Sequence, residues 1–193
     1  MPAQLTWQNS PREWNITAES GLVITAGHKT DWFIDPNGSF NIGNAPNALF
    51  VPPAGDFLLS AKITVGFAST FDAGVLRIHE RDDVWAKLCF EYSPQSIPTV
   101  VSVVTRGSSD DCNSSEIDGS AVSLRIARLG DAFAFHYSMD DTYWHLVRYF
   151  TLGTLNSLQI GFSSQSPAGQ GCTTTFTGIS FRSATLTNLR NGE

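Results

Sequence analysis

Apolar residues along this chain alternate with polar ones over short stretches instead of recurring at the 3.6-residue spacing of a helix. Strand-like segments fall near 14–17, 21–26, 47–51, 57–67, 72–80, 84–92, 98–105, 120–128, 132–138, 144–151, 156–163 and 172–187, separated by Gly, Pro, Asn and Asp. Closely spaced strands with turn residues between them are the pattern of a sandwich or barrel, and helices are expected to be short or absent. The reading is one all-β domain over residues 1–193, a two-sheet jelly-roll sandwich. Residues 28–47, rich in Gly, Asn, Pro and Asp, form the longest irregular stretch. Long loops on compact domains are often binding loops.

Two hairpins can be paired residue by residue. Gly130-Asp131 is a two-residue turn signal. Pairing outward from it sets Ile126 opposite Phe135 and Leu124 opposite Tyr137 on one face. Ser123, Arg125 and Ala127 then meet Ser138, His136 and Ala134 on the other. In the second hairpin, 72–80 with 84–92, Leu76, Ile78, Leu88 and Phe90 must all face the core. That requires an even register and a loop of about three residues around Arg81–Asp83. Arg77, His79, Trp85, Lys87 and Glu91 then share the opposite face. Lys87 and Glu91 lie about 14 Å apart along the strand, too far for a direct ion pair. Arg77 falls opposite Lys87 or Cys89, and the first pairing sets like charges side by side at some cost.

Composition narrows the class. The 193 residues are 41% hydrophobic and only 16% charged, which suits a packed core. Thirteen Phe and five Trp can fill the ~10 Å space between two sheets. A formal net charge of −6 without any basic cluster argues against nucleic acid and anionic membranes as partners. No 18-residue apolar run and no secretory leader pattern is present, and Cys89, Cys112 and Cys172 have no metal-ligand spacing. A reduced, cytoplasmic protein is the expectation. Glycosylation tripeptides at Asn15, Asn37 and Asn113 point toward secretion instead. If a natural leader has been removed, Cys112 and Cys172, both in loop-like sequence, are the pair a disulfide would join.

The best candidate site is the non-core face of the second hairpin. An indole there packs against the C–H face of a sugar, while charged groups bond its hydroxyls. Trp85 is expected to stack, Arg77 and Lys87 to donate and Glu91 to accept, with Thr105, Arg106 and Arg125 nearby; the bland alternative is a solvated outer face with one exposed Trp. Glu116-Ile117-Asp118-Gly119-Ser120 is similar to the Glu-x-Asp-x-x-Glu strand of laminarinase-like hydrolases, but Ser120 stands where the second glutamate belongs. Asp110-Asp111 and Asp140-Asp141 read as turn residues rather than calcium ligands. Cys89 reads as a packed thiol, and no metal, cofactor or complete catalytic set is expected.

Several segments in order carry a resemblance. They are Thr30-Asp31-Trp32-Phe33, Asp72-Ala73-Gly74, Trp85 to Tyr92, Val100 to Asp110, Tyr137 to Trp144 with Arg148, and Ser164 to Gly171. Together, over roughly residues 5–185, they resemble domain-of-unknown-function family 1349, which includes the regulation-of-enolase-protein-like proteins. The resemblance implies a concanavalin A-like lectin/glucanase fold and no particular chemistry. The chain departs from the family after the Ser109-Asp110 pair, where an aromatic residue is usual and Asp111-Cys112 follows, so no ligand contact is carried onto that loop. The leading expectation is a lectin-like domain binding a small-molecule, oligosaccharide or polyol ligand on its concave sheet face. A glycoside hydrolase or lyase using Glu91 with a second acid is the alternative. The family name also implies a third, a regulatory protein binding a metabolic enzyme.

Overall fold

The computed structural model describes residues 4–193 and contains strands but no α-helix among them. No helix is long and apolar enough to cross a membrane among the described residues. The first large sheet joins β1 (Thr6–Gln8), β6 (Asn47–Phe50), β15 (Gln159–Gln165), β8 (Ala73–Arg81), β9 (Val84–Tyr92), β10 (Pro98–Arg106) and β11 (Ser109–Glu116), in that spatial order. The second joins β14 (His145–Thr151), β13 (Ala132–Ser138), β12 (Ala121–Leu129), β7 (Phe57–Val65), β16 (Cys172–Arg182), β3 (Leu22–Ala26) and β2 (Glu13–Ile16). A small hairpin, β4 (Trp32–Ile34) and β5 (Asn41–Gly43), stands apart from both. The strand ladders of the described residues are antiparallel, and the two sheets pack as the expected jelly-roll sandwich.

Alternation decides what lies between the sheets. Leu76, Ile78, Leu88, Phe90 and Val100 from the first sheet meet Leu59, Ile63, Leu124, Ile126, Phe135 and Phe176 from the second, all buried in one cluster. Each large side chain taken out of water contributes roughly 1.5–3 kcal/mol. Gly74 marks a close approach of the sheets. A Cβ there would lie 2.5 Å from both Ile63 and Thr174, so no larger residue fits without moving the opposite sheet.

The Gly130 hairpin has the expected register, with Ile126 opposite Phe135 and Leu124 opposite Tyr137. In the β8–β9 hairpin Arg77 does fall opposite Lys87. Its turn differs from the expectation: two residues, Asp82-Asp83, close it, and a one-residue bulge at Glu80 restores the parity the core requires. The bulged Glu80 is buried and accepts hydrogen bonds from the Asn156 and Ser157 amides at 2.7 and 3.0 Å. That cap holds 156–158 out of the sheet, which is why β15 begins at Gln159 rather than at 156.

Four strands escape the sequence pattern: β1, β4, β5 and β11. The last, Ser-Asp-Asp-Cys-Asn-Ser-Ser-Glu, is a polar run at the sheet edge and carries no apolar alternation. The edges of the two sheets are tied together there, because Arg148 on β14 reaches Asp110 on β11 at 2.7 Å. All three cysteines are free. Cys112 is exposed on β11 and Cys172 is buried at the start of β16, so the disulfide considered between them is absent.

Candidate functional site

The register of the first sheet lays out its outer face as rows crossing the strands. One row runs Gln165, Ala73, Glu91, Thr99; the next Ser163, Val75, Cys89, Val101, Asn113. The third runs Gly161, Arg77, Lys87, Val103, Asp111, and the fourth Gln159, His79, Trp85, Thr105, Ser109. This face is not open to solvent. Residues 28–47 fold across it, and Trp32, Ala45, Trp85 and Val103 form a second apolar cluster with Phe33 against them. The Trp32 indole donates to the Ala45 carbonyl at 2.9 Å and so ties the two ends of the cover to each other.

Trp85 is therefore not the exposed stacking platform expected: it is fully buried, with its indole N–H on the Asp82 carbonyl. Arg77 is also fully buried. Its guanidinium lies 4.5 Å from the Trp32 ring centroid and 4.2 Å from that of Trp85. Among the described residues no acceptor meets its three nitrogens, so two indole faces supply its electrostatic partners. Burial draws its pKa down to about 9, which still leaves it charged at neutral pH. His79, against Trp32 in the same covered region, is pushed down to about 4 by burial and then by Arg77, and so is neutral.

Thr105 is buried and bonded to Ser109 Oγ. Arg106 alternates onto the other side of β10 and reaches the Thr151 carbonyl of the opposite sheet. Arg125 stands on the outer face of the second sheet and takes no part in this region. Of the expected set, only Lys87 and Glu91 line open space on the outer face of the first sheet. For Trp85, Arg77 and Thr105 the physical reason is shared: alternation identifies a non-core face but not what the rest of the chain lays over it. Arg106 has the other parity on β10, and Arg125 lies on the other sheet.

The open space is a cleft of about 180 Å³ beside the cover, lined by Asp31, Phe33, Phe40, Phe71, Lys87, Glu91, Val103, Asp111 and Gln165. Phe40 stacks on Phe33 with centroids 5.9 Å apart and is about half exposed. Phe71 holds φ at +70°, a left-handed conformation that costs a bulky residue on the order of 1–3 kcal/mol. The Lys87 ammonium donates to Asp31 Oδ1 at 2.8 Å and to Gln165 Oε1 at 2.9 Å. Burial opposes that charge, but the negative groups around it, Asp31 first, hold the ammonium above its ordinary pKa. Burial raises Glu91 to about 8 despite Lys87, with Asp31 and Asp111 adding to the shift. Glu91 therefore carries a proton at neutral pH. Asp111 is shifted upward as well, mainly by burial.

Phe40 and Phe71 were not named individually from the sequence, and Asp31, Phe33, Asp111 and Gln165 were named in other connections but not as ligand-binding residues. A signal for Asp111 existed: Gly107-Ser108 is a turn dipeptide, and pairing from it sets Thr105 opposite Ser109 and Val103 opposite Asp111. The loop excluded as a source of ligand contacts is thus part of the cleft wall. Cys89, two residues from Lys87 on the same face, is buried and its thiol pKa is pushed up by burial, which leaves it unreactive. Among the described residues, no group of three or more His, Cys, Asp or Glu could hold a metal ion.

The family described as "Protein of unknown function (DUF1349)" matches residues 7–184. No curated protein matches the sequence. A functionally unknown protein from Saccharomyces cerevisiae superposes with a TM-score of 0.83 at 20% identity, covering 94% of this chain and 97% of that one. The GH43 protein BlXynB from Bacillus licheniformis gives 0.72 at 12% identity over 92% of this chain, which spans 37% of that protein. An alginate lyase from Klebsiella pneumoniae gives 0.57 at 11% identity, over 88% of this chain and 83% of that one. At these identities the likeness establishes the concanavalin A-like sandwich and nothing about chemistry.

Proposed function

We propose that this chain, which belongs to the DUF1349 family of proteins of unknown function, is a lectin-like domain that binds a neutral saccharide or polyol in the Phe33–Phe40–Phe71 cleft. One observation carries the reading. Four of the segments that bear the family resemblance, far apart in sequence, each send side chains to this one cleft. They contribute Asp31 and Phe33, Lys87 and Glu91, Val103, and Gln165. Aromatic walls can take the C–H face of a sugar, while the protonated Glu91 can donate and Gln165, Asp31 and Asp111 can accept. The carboxylates disfavour an anionic ligand. A volume of about 180 Å³ fits one sugar ring rather than a buried chain. Strain at Phe71 on the rim is of the kind retained where a site needs it. The fold neighbours include proteins whose titles name GH43 hydrolases and an alginate lyase, which adds circumstantial support.

The test is a glycan array that includes neutral xylan-derived oligosaccharides and, as anionic counterparts expected not to bind, alginate-derived ones. Wild type is expected to retain a discrete set of glycans and Phe40→Ala to lose them without a change in melting temperature, since Phe40 is exposed. Glycan retention by Phe40→Ala equal to wild type would sink the proposal.

A second reading rests on the proton that Glu91 holds near pH 8 beside two further carboxyl groups, the makings of a general acid. Release of new reducing ends or unsaturated products from an array-positive glycan, abolished in Glu91→Gln, would establish it. Intact glycan after prolonged incubation would leave binding alone.

A further inference from the structure

The Arg125 that sequence reasoning assigned to the saccharide face belongs to a separate groove on the opposite side of the molecule. This groove, of about 330 Å³, runs along β12, β7 and β16 and is lined by Ser60, Lys62, Arg125, Trp144, Ser180 and Arg182 among others. We propose that it is a binding site for a tetrahedral oxyanion, a phosphate or sulfate carried on a small polar body.

The strand register places the cations among hydroxyls. Arg125 lies opposite Ser60, which lies opposite Ser180; Lys62 lies opposite both Ser123 and Thr177. Between Thr177 and Ser180 the register slips and Gly178 takes a left-handed φ of +56°, a bulge that re-aims the side chains on β16. Arg125 is only 3% exposed, and its guanidinium lies 4.2 Å from the Trp144 ring centroid. Its Nη2 donates to the Gly192 carbonyl at 2.9 Å, and its Nε is buried in the groove wall with no protein acceptor. Burial and then the like charge of Arg182 lower its pKa to about 10, so the two guanidiniums sit close enough to repel.

Neither Lys62, Arg125 nor Arg182 lies within 4.0 Å of a carboxylate among the described residues, and Asp141 is the single acid in the lining. On a chain of net charge −6, three unpaired cations ringed by hydroxyls are a local inversion of sign. Guanidinium, ammonium and hydroxyl donors lining one groove, with Arg125 between Lys62 and Arg182 in the register, suit an oxyanion with several acceptor lone pairs. The groove is larger than a bare ion needs, which leaves room for the polar body that carries it.

The experiment titrates ¹⁵N-labelled protein with glucose 6-phosphate, inorganic phosphate, inorganic sulfate and glucose, following amides of β7, β12 and β16. The phosphate ester is expected to shift those amides saturably and glucose to leave them still. In a Lys62→Ser/Arg182→Ser double variant, changed only at exposed side chains, affinity is expected to fall about tenfold or more. Raised sodium chloride should weaken wild-type binding, since the charges are near the surface. Tighter binding of the ester than of inorganic phosphate would name a phosphorylated body as ligand, and equal binding would name the free anion; either supports the site. No saturable shift with any of the anions, or unchanged affinity in the double variant, would overturn it. Phe40→Ala does not touch this groove, so failure here and failure of the saccharide site are read separately.

Discussion

Over the first sheet's outer face, residues 28–47 close on Arg77, Trp85 and Lys87 and leave only a cleft at one side. Over the second sheet's outer face, residues 183–193 do less. Leu186, Ala184 and Leu189 cover Leu58, Ala127 and Ala134, while the Gly192 carbonyl touches Arg125 and the groove beside it stays open. Both faces begin as the non-core side of an alternating strand, and both carry an arginine against a tryptophan. The difference lies in the cover. A closed cover turns a polar strand face into a second core, and its charges must then find partners inside it. Lys87 finds Asp31 and Gln165, Arg77 finds two indoles, and Glu91 keeps its proton. Under the partial cover, Lys62 and Arg182 remain exposed and unpaired.

Replacing the tryptophan of each face is the strongest way to break this contrast. Trp85→Ala removes a fully buried side chain and is expected to cost ~3–5 kcal/mol in urea denaturation, whereas Trp144→Ala, at a half-buried site, should cost ~2 kcal/mol or less. Equal costs would mean that the first face is no more closed than the second. Leu186→Ala tests the partial cover in the same assay, with an expected loss of about 2 kcal/mol. A loss near zero would show that the C-terminal segment adds nothing to that face.

A pH series sharpens the comparison further. Glu91 ionises near 4.5 when unfolded and near 8 when folded, so between these values the folded state holds the extra proton. Wild-type stability should therefore fall as pH rises through that window relative to Glu91→Gln, whose side chain does not titrate. Melting temperatures at about pH 5 and about pH 8.5 should show the variant gaining on wild type; parallel curves would contradict a Glu91 that holds its proton in the folded state. The smallest effect is expected at the sandwich edge. Asp110→Asn removes a half-exposed ion pair to Arg148 and should cost under ~1 kcal/mol.

The sandwich, the register of the Gly130 hairpin and the sharing of one non-core face by Arg77, Trp85 and Lys87 were legible because each follows from strand parity and turn chemistry, which are local. Which residue lies opposite Arg77, Lys87 or Cys89, was left open and is fixed by the bulge at Glu80. The cover was not. Residues 28–47 were recognisable as a long loop with binding potential, but nothing local says that Trp32 packs on Trp85 or that Asp31 meets Lys87 across 56 positions. Asp111 was missed because a polar edge strand lacks the apolar alternation that marks a strand, although the Gly107-Ser108 turn carried the register. Arg125 was misplaced because its strand belongs to the other sheet, and sheet order is a property of the whole chain. The resemblance-bearing segments held more than their individual residues did, since it is their convergence that outlines the cleft.

The central claim is that a saccharide enters beside the aromatic cover and not on Trp85. A crystal structure of the protein with an array-selected glycan tests it most directly. The account predicts a sugar ring between Phe33, Phe40 and Phe71, within hydrogen-bond reach of Glu91 and Gln165, with Trp85 still buried. A sugar lying on Trp85 under a displaced 28–47 segment, or seated instead beside Arg125, would contradict it.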